Sequence, residues 1–184
     1  RIKPGEMSDL GKHLLPTSDI LPNLVHEHQL GFDNRVMQAA YLGREMEAKK
    51  GLPSKEDEAR MNDKAREVVR YVLFADEAKL PSGGITGDPQ FAKDFARNKK
   101  AIASGASLKD FDLKTRMFKY RCSYMIYTPQ WQKMPEIIKT RIYAGMKGAL
   151  SGKNHEFAYL PADERLKIVA ILRETLPDLP ADWR

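Results

Sequence analysis

The sequence predicts an all-α protein: a single domain of five to six helices that begins with a long helical hairpin. Two observations predict this class. Apolar and small residues recur with a helical period of about 3.6 residues over several long stretches, and no segment shows the alternation of a half-buried strand. We therefore expect less than about a tenth of the chain in strands, whereas an average soluble domain has roughly a fifth to a quarter.

The first predicted helix opens at Ser18-Asp19 and runs to about Lys49. Pro22 falls in its first turn, where the missing N–H costs little. One stripe of this helix carries apolar or small side chains that we expect to face the core: Leu21, Leu24, Val25, Phe32, Val36, Ala39, Ala40 and Gly43.

The second helix follows a short turn at residues 51–53, which contains glycine and proline. Ser54 is a favourable N-cap, and Glu56 and Asp57 suit the positive end of a helix dipole. This helix should end near Ala75. Two helices joined by so short a turn predict an antiparallel hairpin. The apolar side of the second helix consists of Met61, Ala65, Val68, Val69, Val72 and Leu73.

The rest of the chain predicts loops and four more helices. Residues 80–87 are rich in glycine and proline and predict a loop. An aromatic-rich segment before Pro129 predicts a buried helix, and an extended start at residues 110–113 stays open. The expected bounds of the four helices are 89–97, 114–127, 136–150 and 163–176.

Length and composition set the domain organisation. The chain has 184 residues, of which 42% are hydrophobic and 30% charged, and this balance suits one globular core. We expect residues 1–17 to be an N-terminal extension and residues 18–184 to be the helical domain. The start at Arg1 is expected to be a processing site or the edge of a fragment of a longer protein. The densest apolar stretch, residues 68–75, is too short for a transmembrane segment.

The net charge does not predict a nucleic-acid partner. It is +6, from 31 basic and 25 acidic residues, but the two signs alternate along the predicted helices. The local excess of basic residues at 114–121 suits an ordinary solvated face.

Cys122 is the one cysteine, so the chain can form neither an internal disulfide nor a cysteine-based metal cluster. It lies in an aromatic-rich segment between Tyr120 and Tyr124. In such surroundings a lone cysteine usually behaves as a small apolar side chain. We therefore predict a buried, unreactive thiol.

His28 is the candidate site residue. On the first helix it shares a stripe with Leu21, Val25 and Phe32, so it should face the core, whereas His26 points elsewhere. Residues two apart lie on different sides of a helix, so these two histidines cannot easily share one metal ion. Two interpretations of His28 stay open. It is either a hydrogen-bonded core histidine or an axial ligand to haem iron or another metal.

No complete catalytic motif is present. The chain lacks a His-Glu-x-x-His zinc motif, a Gly-x-Ser-x-Gly nucleophile elbow and a Cys-x-x-Cys-His haem attachment motif. The adjacent carboxylates at Asp76-Glu77 and at Asp110 and Asp112 are typical of helix ends. His155 is expected in solvent. Six methionines are expected mainly to fill the core: residues 37, 46, 117, 125, 134 and 146.

Three stretches carry a resemblance to a known family. They lie at residues 18–29, at residues 69–80 and at residues 107–127, and the aromatic block around Cys122 is the most specific. Together they resemble the C-terminal portion of large exported bacterial proteins, as in planctomycetes, that have a cytochrome-c-type Cys-x-x-Cys-His segment upstream.

The resemblance implies a non-catalytic helical module that assists haem-based electron transfer or docking outside the cytoplasm, in the periplasm or beyond. Haem c would be attached by the upstream segment, and His28 is the residue expected to supply any iron ligand from this chain. The implied partners are the upstream cytochrome domain, other subunits and a redox protein. The alternative is a cofactor-free structural or interaction subunit of a larger complex, and a cytoplasmic location stays open. An enzyme would need a pocket with convergent polar groups.

Overall fold

The fold is all-α, as predicted. A computed structural model describes residues 19–49 and 51–183, and over these residues it contains six α-helices and no β-strand. The extended pairing in this part of the chain is limited to two isolated bridges, Ala101 with Ser107 and Phe111 with Phe118. The predicted N-terminal extension, residues 1–17, lies outside the described residues.

The first two helices form the predicted hairpin. Helix α1 spans Ile20–Ala48, and the Asp19 carboxylate caps it by accepting the N–H of Leu21 at 2.7 Å. Helix α2 spans Lys55–Val72 and begins with a capping box between Ser54 and Asp57. Both predicted starts are confirmed, because caps are local features of the sequence.

The remaining helices complete a single body. Helix α5 packs against both α1 and α2, and α6 packs against α5. The short helices α3 and α4 lie in the long connection between α2 and α5. The predicted bounds of α3, α5 and α6 hold to within one or two residues: the helices are α3 Pro89–Ala96, α4 Pro129–Gln132, α5 Glu136–Leu150 and α6 Ala162–Thr175.

Helix α2 ends earlier than the predicted Ala75. Phe74 takes a left-handed backbone conformation with φ of 57°, and the N–H of Ala75 donates to the carbonyl of Arg70 at 2.8 Å. This is the bond pattern of a Schellman ending, in which glycine usually occupies the left-handed position. Here the position carries phenylalanine, whose ring packs inside the protein.

The helix predicted at residues 114–127 is wrong. A single 3₁₀ turn, Tyr124–Tyr127, is its helical part. The preceding residues form a tight hairpin in which the N–H of Leu113 donates to Arg116 and the N–H of Lys119 donates to Asp110, each at 2.8 Å. The carboxylate of Asp112 accepts the backbone N–H of Thr115 at 3.2 Å, a local bond that competes with helix formation.

The aromatic-rich segment at residues 111–127, which we call the aromatic block, is nevertheless mostly buried, as expected. Phe111 and Phe118 stack across the hairpin with ring centroids 5.3 Å apart, and Phe118 is inaccessible to solvent. The core therefore continues from the helical hairpin into this loop. The largest fully buried side chains are Trp131, Phe32, Phe118, Leu21, Met61, Leu73, Leu108, Ile126, Ile138, Ile142, Met146 and Leu160.

The expectation of no transmembrane segment agrees with the structure as far as it is described: within residues 19–49 and 51–183, every helix is too short or too polar to cross a bilayer.

Candidate functional site

His28 lies in the core, as its helical position predicts, with 6% of its surface exposed. Its ring stacks on Phe74 with centroids 4.7 Å apart and on Tyr71 with centroids 5.5 Å apart. Phe118 and Tyr124 approach it at 5.9 and 6.0 Å. We call these five residues the His28 cluster. They bring together α1, the end of α2 and the aromatic block.

Ser123 supplies the polar partner of the imidazole. A hydrogen bond of 2.8 Å joins His28 Nε2 to Ser123 Oγ, and the same hydroxyl accepts the N–H of Met125 at 3.2 Å. The backbone N–H of Ser123 donates to the carbonyl of Val72 at 2.8 Å. Ser123 is completely buried, so one residue ties α1, α2 and the 3₁₀ turn together.

Burial controls the protonation of His28. Loss of hydration lowers the pKa of this imidazole to about 4, because the charged form is disfavoured inside an apolar cluster. The ring is therefore neutral near pH 7.

The surroundings of His28 bear on its proposed role as a ligand. Aromatic rings pack against the imidazole, and Nε2 is engaged by Ser123. Coordination of iron through Nε2 would first require that hydrogen bond to break. Within the described residues, no group of three or more histidine, cysteine or carboxylate side chains is placed to hold a metal ion. The ligand role of His28 stays a prediction.

Gly31 allows Tyr71 to reach the cluster. The hydroxyl of Tyr71 donates to the carbonyl of His28 at 3.1 Å. A Cβ atom on Gly31 would lie 2.0 Å from this hydroxyl oxygen, which is far inside van der Waals contact. The Arg35 guanidinium lies over the Tyr71 ring, 4.1 Å from its centroid. A glycine in the middle of α1 thus has a packing reason.

Two adjacent clefts open beside the His28 cluster, each with a volume of about 550 Å³. The inner cleft adjoins His28 and has an apolar part formed by Leu24, Tyr71, Phe74, Leu80 and Met117. The second cleft, which we call the basic cleft, lies between the loop after α2 and the tight hairpin at residues 110–119. Both clefts share Phe74, Glu77, Ala78 and Leu80, and the basic cleft is also lined by Ala75, Lys79, Pro81, Ser82, Gly83, Lys114, Thr115, Arg116, Arg121 and Tyr159.

A separate apolar surface lies on α1. Leu30, Met37 and Tyr41 are 52%, 47% and 64% exposed, and we call them the outer stripe. Met37 is thus an exception among the methionines expected in the core. Beside the stripe runs a groove of about 370 Å³, whose lining is Val36, Met37, Ala40, Tyr41, Arg44, Pro129, Gln130 and Lys133.

The other residues considered from the sequence do not converge on a reactive centre. His26 and His155 are exposed, as expected. Asp110 accepts the N–H of Ser107 at 2.9 Å, so it serves a turn. Asp76 forms an ion pair with Arg70. These groups stabilise loops and helix ends.

Sequence reasoning missed Ser123 and Tyr71 as partners of His28. The available signal was a small polar residue between Cys122 and the run Tyr124-Met125-Ile126, since a hydroxyl buried among such side chains needs a hydrogen-bond partner. The sequence separation of 95 positions between His28 and Ser123 hid the pairing.

Comparisons of this chain with protein-family models, with curated proteins and with solved structures found no match.

We expect His28→Ala to lower the free energy of unfolding by about 3 kcal/mol, because it opens a cavity and leaves Ser123 Oγ without its partner. His26→Ala should change stability little, since His26 is exposed. Chemical denaturation of both variants measures the difference. Equal stability of both variants and the wild type would contradict the inward role of His28.

The same site predicts a pH dependence. The pKa of His28 is lower in the folded state than in the unfolded chain, so the unfolded state binds the proton first as the pH falls. This contribution to stability is complete above about pH 6.5 and falls by about 3 kcal/mol on acidification to about pH 4. In that pH window, His28→Gln should reduce the change of the free energy of unfolding with pH. His26→Gln should leave this pH dependence as it is in the wild type.

Cys122 is completely buried, and burial raises the pKa of its thiol well above the usual range. We expect a thiol reagent such as DTNB to label it at the rate of global unfolding in the native protein and rapidly in denaturant. Fast labelling under native conditions would show that the thiol is accessible. Cys122→Ser labelled in parallel gives the background.

Proposed function

We propose that this chain is a non-catalytic helical module of a larger exported, c-type-cytochrome-like protein, and that it acts by docking. The observation that carries the docking role is the outer stripe on α1. The link to a cytochrome-like protein rests on the sequence resemblance.

The outer stripe has the geometry of a contact surface. Leu30, Met37 and Tyr41 are separated by seven and four residues, which aligns them along one side of a helix. The buried residues Phe32, Val36 and Ala39 occupy the other side of α1. Large apolar side chains that are exposed together on one helix commonly mark a surface for another protein.

The groove beside the stripe defines the chemistry of the partner. Two cationic side chains, Arg44 and Lys133, line it, and among the residues that the structure describes no carboxylate does. Neither forms an ion pair with any residue that the structure describes. An amphipathic helix fits this surface if its apolar side chains cover Met37 and Tyr41 and its carboxylates meet the two cations.

The buried state of His28 supports a docking role over an iron-ligand role. A ligand histidine presents one ring nitrogen to the metal while the other is commonly hydrogen-bonded, so the bond between Nε2 and Ser123 leaves Nδ1 for a metal. Four aromatic rings pack around the imidazole and leave 6% of the residue's surface exposed, which opposes the approach of a haem. The competing proposal is a cofactor-free interaction subunit, which would use the same stripe. The two differ in whether the full-length protein carries haem.

The docking surface predicts the effect of introducing a negative charge into the outer stripe. Met37→Glu and Tyr41→Glu should each weaken binding of a synthetic amphipathic helix with leucine and glutamate faces by about tenfold, because they place a carboxylate in the contact. Fluorescence anisotropy of the labelled peptide measures this. Leu166→Glu is the matched control, since Leu166 is 73% exposed on α6 and away from the stripe.

A peptide with lysine in place of glutamate should bind more weakly than the acidic one. Equal binding of the two peptides, or equal loss with Leu166→Glu, would overturn the proposal. Concentration-dependent dimers in sedimentation that Tyr41→Glu abolishes would assign the stripe to a second copy of the chain instead.

The visible spectrum separates the roles of His28. We expect a Soret band in the full-length protein whose position His28→Gln leaves unchanged, because iron would be held by other residues. A shifted band would make His28 an axial ligand and refute the docking-only role. Absence of a Soret band in the wild type would favour the cofactor-free subunit.

A further inference from the structure

We propose that the two adjacent clefts beside the His28 cluster, which share four lining residues, form one binding site for a small amphipathic anion. The oxyanion headgroup, a carboxylate or a phosphate, would lie in the basic cleft, and the apolar body would extend into the inner cleft. This site is separate from the outer stripe and goes beyond the docking function.

The basic cleft has an excess of positive charge. Among the described residues, four cationic side chains line it, and Glu77 is the one carboxylate of that lining. Glu164 neutralises Arg121 through contacts of 3.1 and 2.6 Å to its Nε and Nη2. Within the described part of the chain, Lys79 and Lys114 take part in no ion pair. An anion in this cleft would therefore meet cations that are not already paired.

Arg116 is held in place before any ligand arrives. Its Nε donates to the carbonyl of Phe118 at 3.1 Å, and its Nη2 donates to the carbonyl of Lys119 at 3.2 Å. Nη2 also lies 3.5 Å from the Glu164 carboxylate. A guanidinium fixed by backbone carbonyls loses little conformational entropy when it binds an oxyanion.

The loop after α2 is also fixed against the tight hairpin at residues 110–119. The N–H of Ile85 donates to the carbonyl of Leu113 at 2.9 Å. Gly84 has φ of 77°, and a Cβ atom there would lie 2.3 Å from the Leu113 oxygen. The glycine is required for this close approach, so the loop that carries Lys79 is pinned beside the turn that carries Lys114.

The residues shared with the inner cleft supply an apolar surface. Phe74 and Leu80 line both clefts, and Met117, which lines the inner one, continues this surface. Each cleft has a volume within the ordinary range of small-molecule sites, roughly 300–1,000 Å³. The inner cleft also has charged lining residues, namely Glu27, Glu67, Asp76, Glu77, Arg35 and Arg70, so the apolar end of a ligand would lie against Phe74, Leu80 and Met117. A ligand that uses both clefts would have one anionic end and one apolar end.

The first experiment compares probes that share an eight-carbon chain. Octanoate, octyl phosphate, octylamine and octanol are titrated into the protein by isothermal calorimetry. We expect the two anions to bind and the amine and alcohol to bind much more weakly. Tighter binding of octyl phosphate assigns a phosphate headgroup, and tighter binding of octanoate assigns a carboxylate.

The second experiment removes the charges. Lys79 and Lys114 are exposed and make no hydrogen bond with other described residues, so Lys79→Gln/Lys114→Gln should fold normally. We expect about fivefold weaker binding of the better anion and a smaller salt dependence. Lys93→Gln, which removes an exposed cation of α3 outside both clefts, is the matched control.

The apolar half has its own test. Leu80→Ser should weaken the binding of octyl phosphate and leave the binding of inorganic phosphate unchanged. Affinity unchanged in the double lysine variant, equal affinity for octylamine and the anions, or no binding of either anion at millimolar concentration would overturn the proposal. None of these results bears on the outer stripe.

Discussion

The structure depends on one neutral imidazole in an apolar core. His28 reaches this position because α1 places it on the same stripe as Leu21, Val25 and Phe32. An imidazole without a partner would lose hydration at a cost of a few kcal/mol, about 2 or more. The hydroxyl of Ser123 offsets that loss, and the rings of Tyr71 and Phe74 cover the rest. Three segments that are distant in sequence therefore meet at one side chain.

Several irregular features follow from that meeting. Phe74 occupies a backbone conformation that usually takes glycine, and its ring is stacked on His28. Because α2 ends there, the chain turns away and leaves room for the two clefts. The polar partner of His28 comes from the aromatic block, in which a tight hairpin followed by a 3₁₀ turn presents Phe118 and Ser123 to the same ring.

Helix bounds were predictable where the signals are local. The cap at Asp19, the capping box at Ser54 and the periodicity of α1 each act within a few residues. The aromatic block was not predictable, because a dense apolar segment is buried equally well as a helix or as a loop. The inward position of His28 followed from its spacing, but its partner did not. The exposure of the outer stripe was not predictable from the sequence either. Methionine is a residue type common in cores, and the exposure of Met37 depends on how the other helices pack.

The residue at position 71 limits which residues can occupy position 31. The Tyr71 hydroxyl occupies the space where a side chain at position 31 would begin. During evolution, a larger residue at position 31 is compatible only with a shorter one at position 71, whereas position 71 can shorten while Gly31 stays. Related chains that keep a histidine at position 28 and a tyrosine at position 71 should therefore keep glycine at position 31, and chains with a larger residue at 31 should lack the tyrosine.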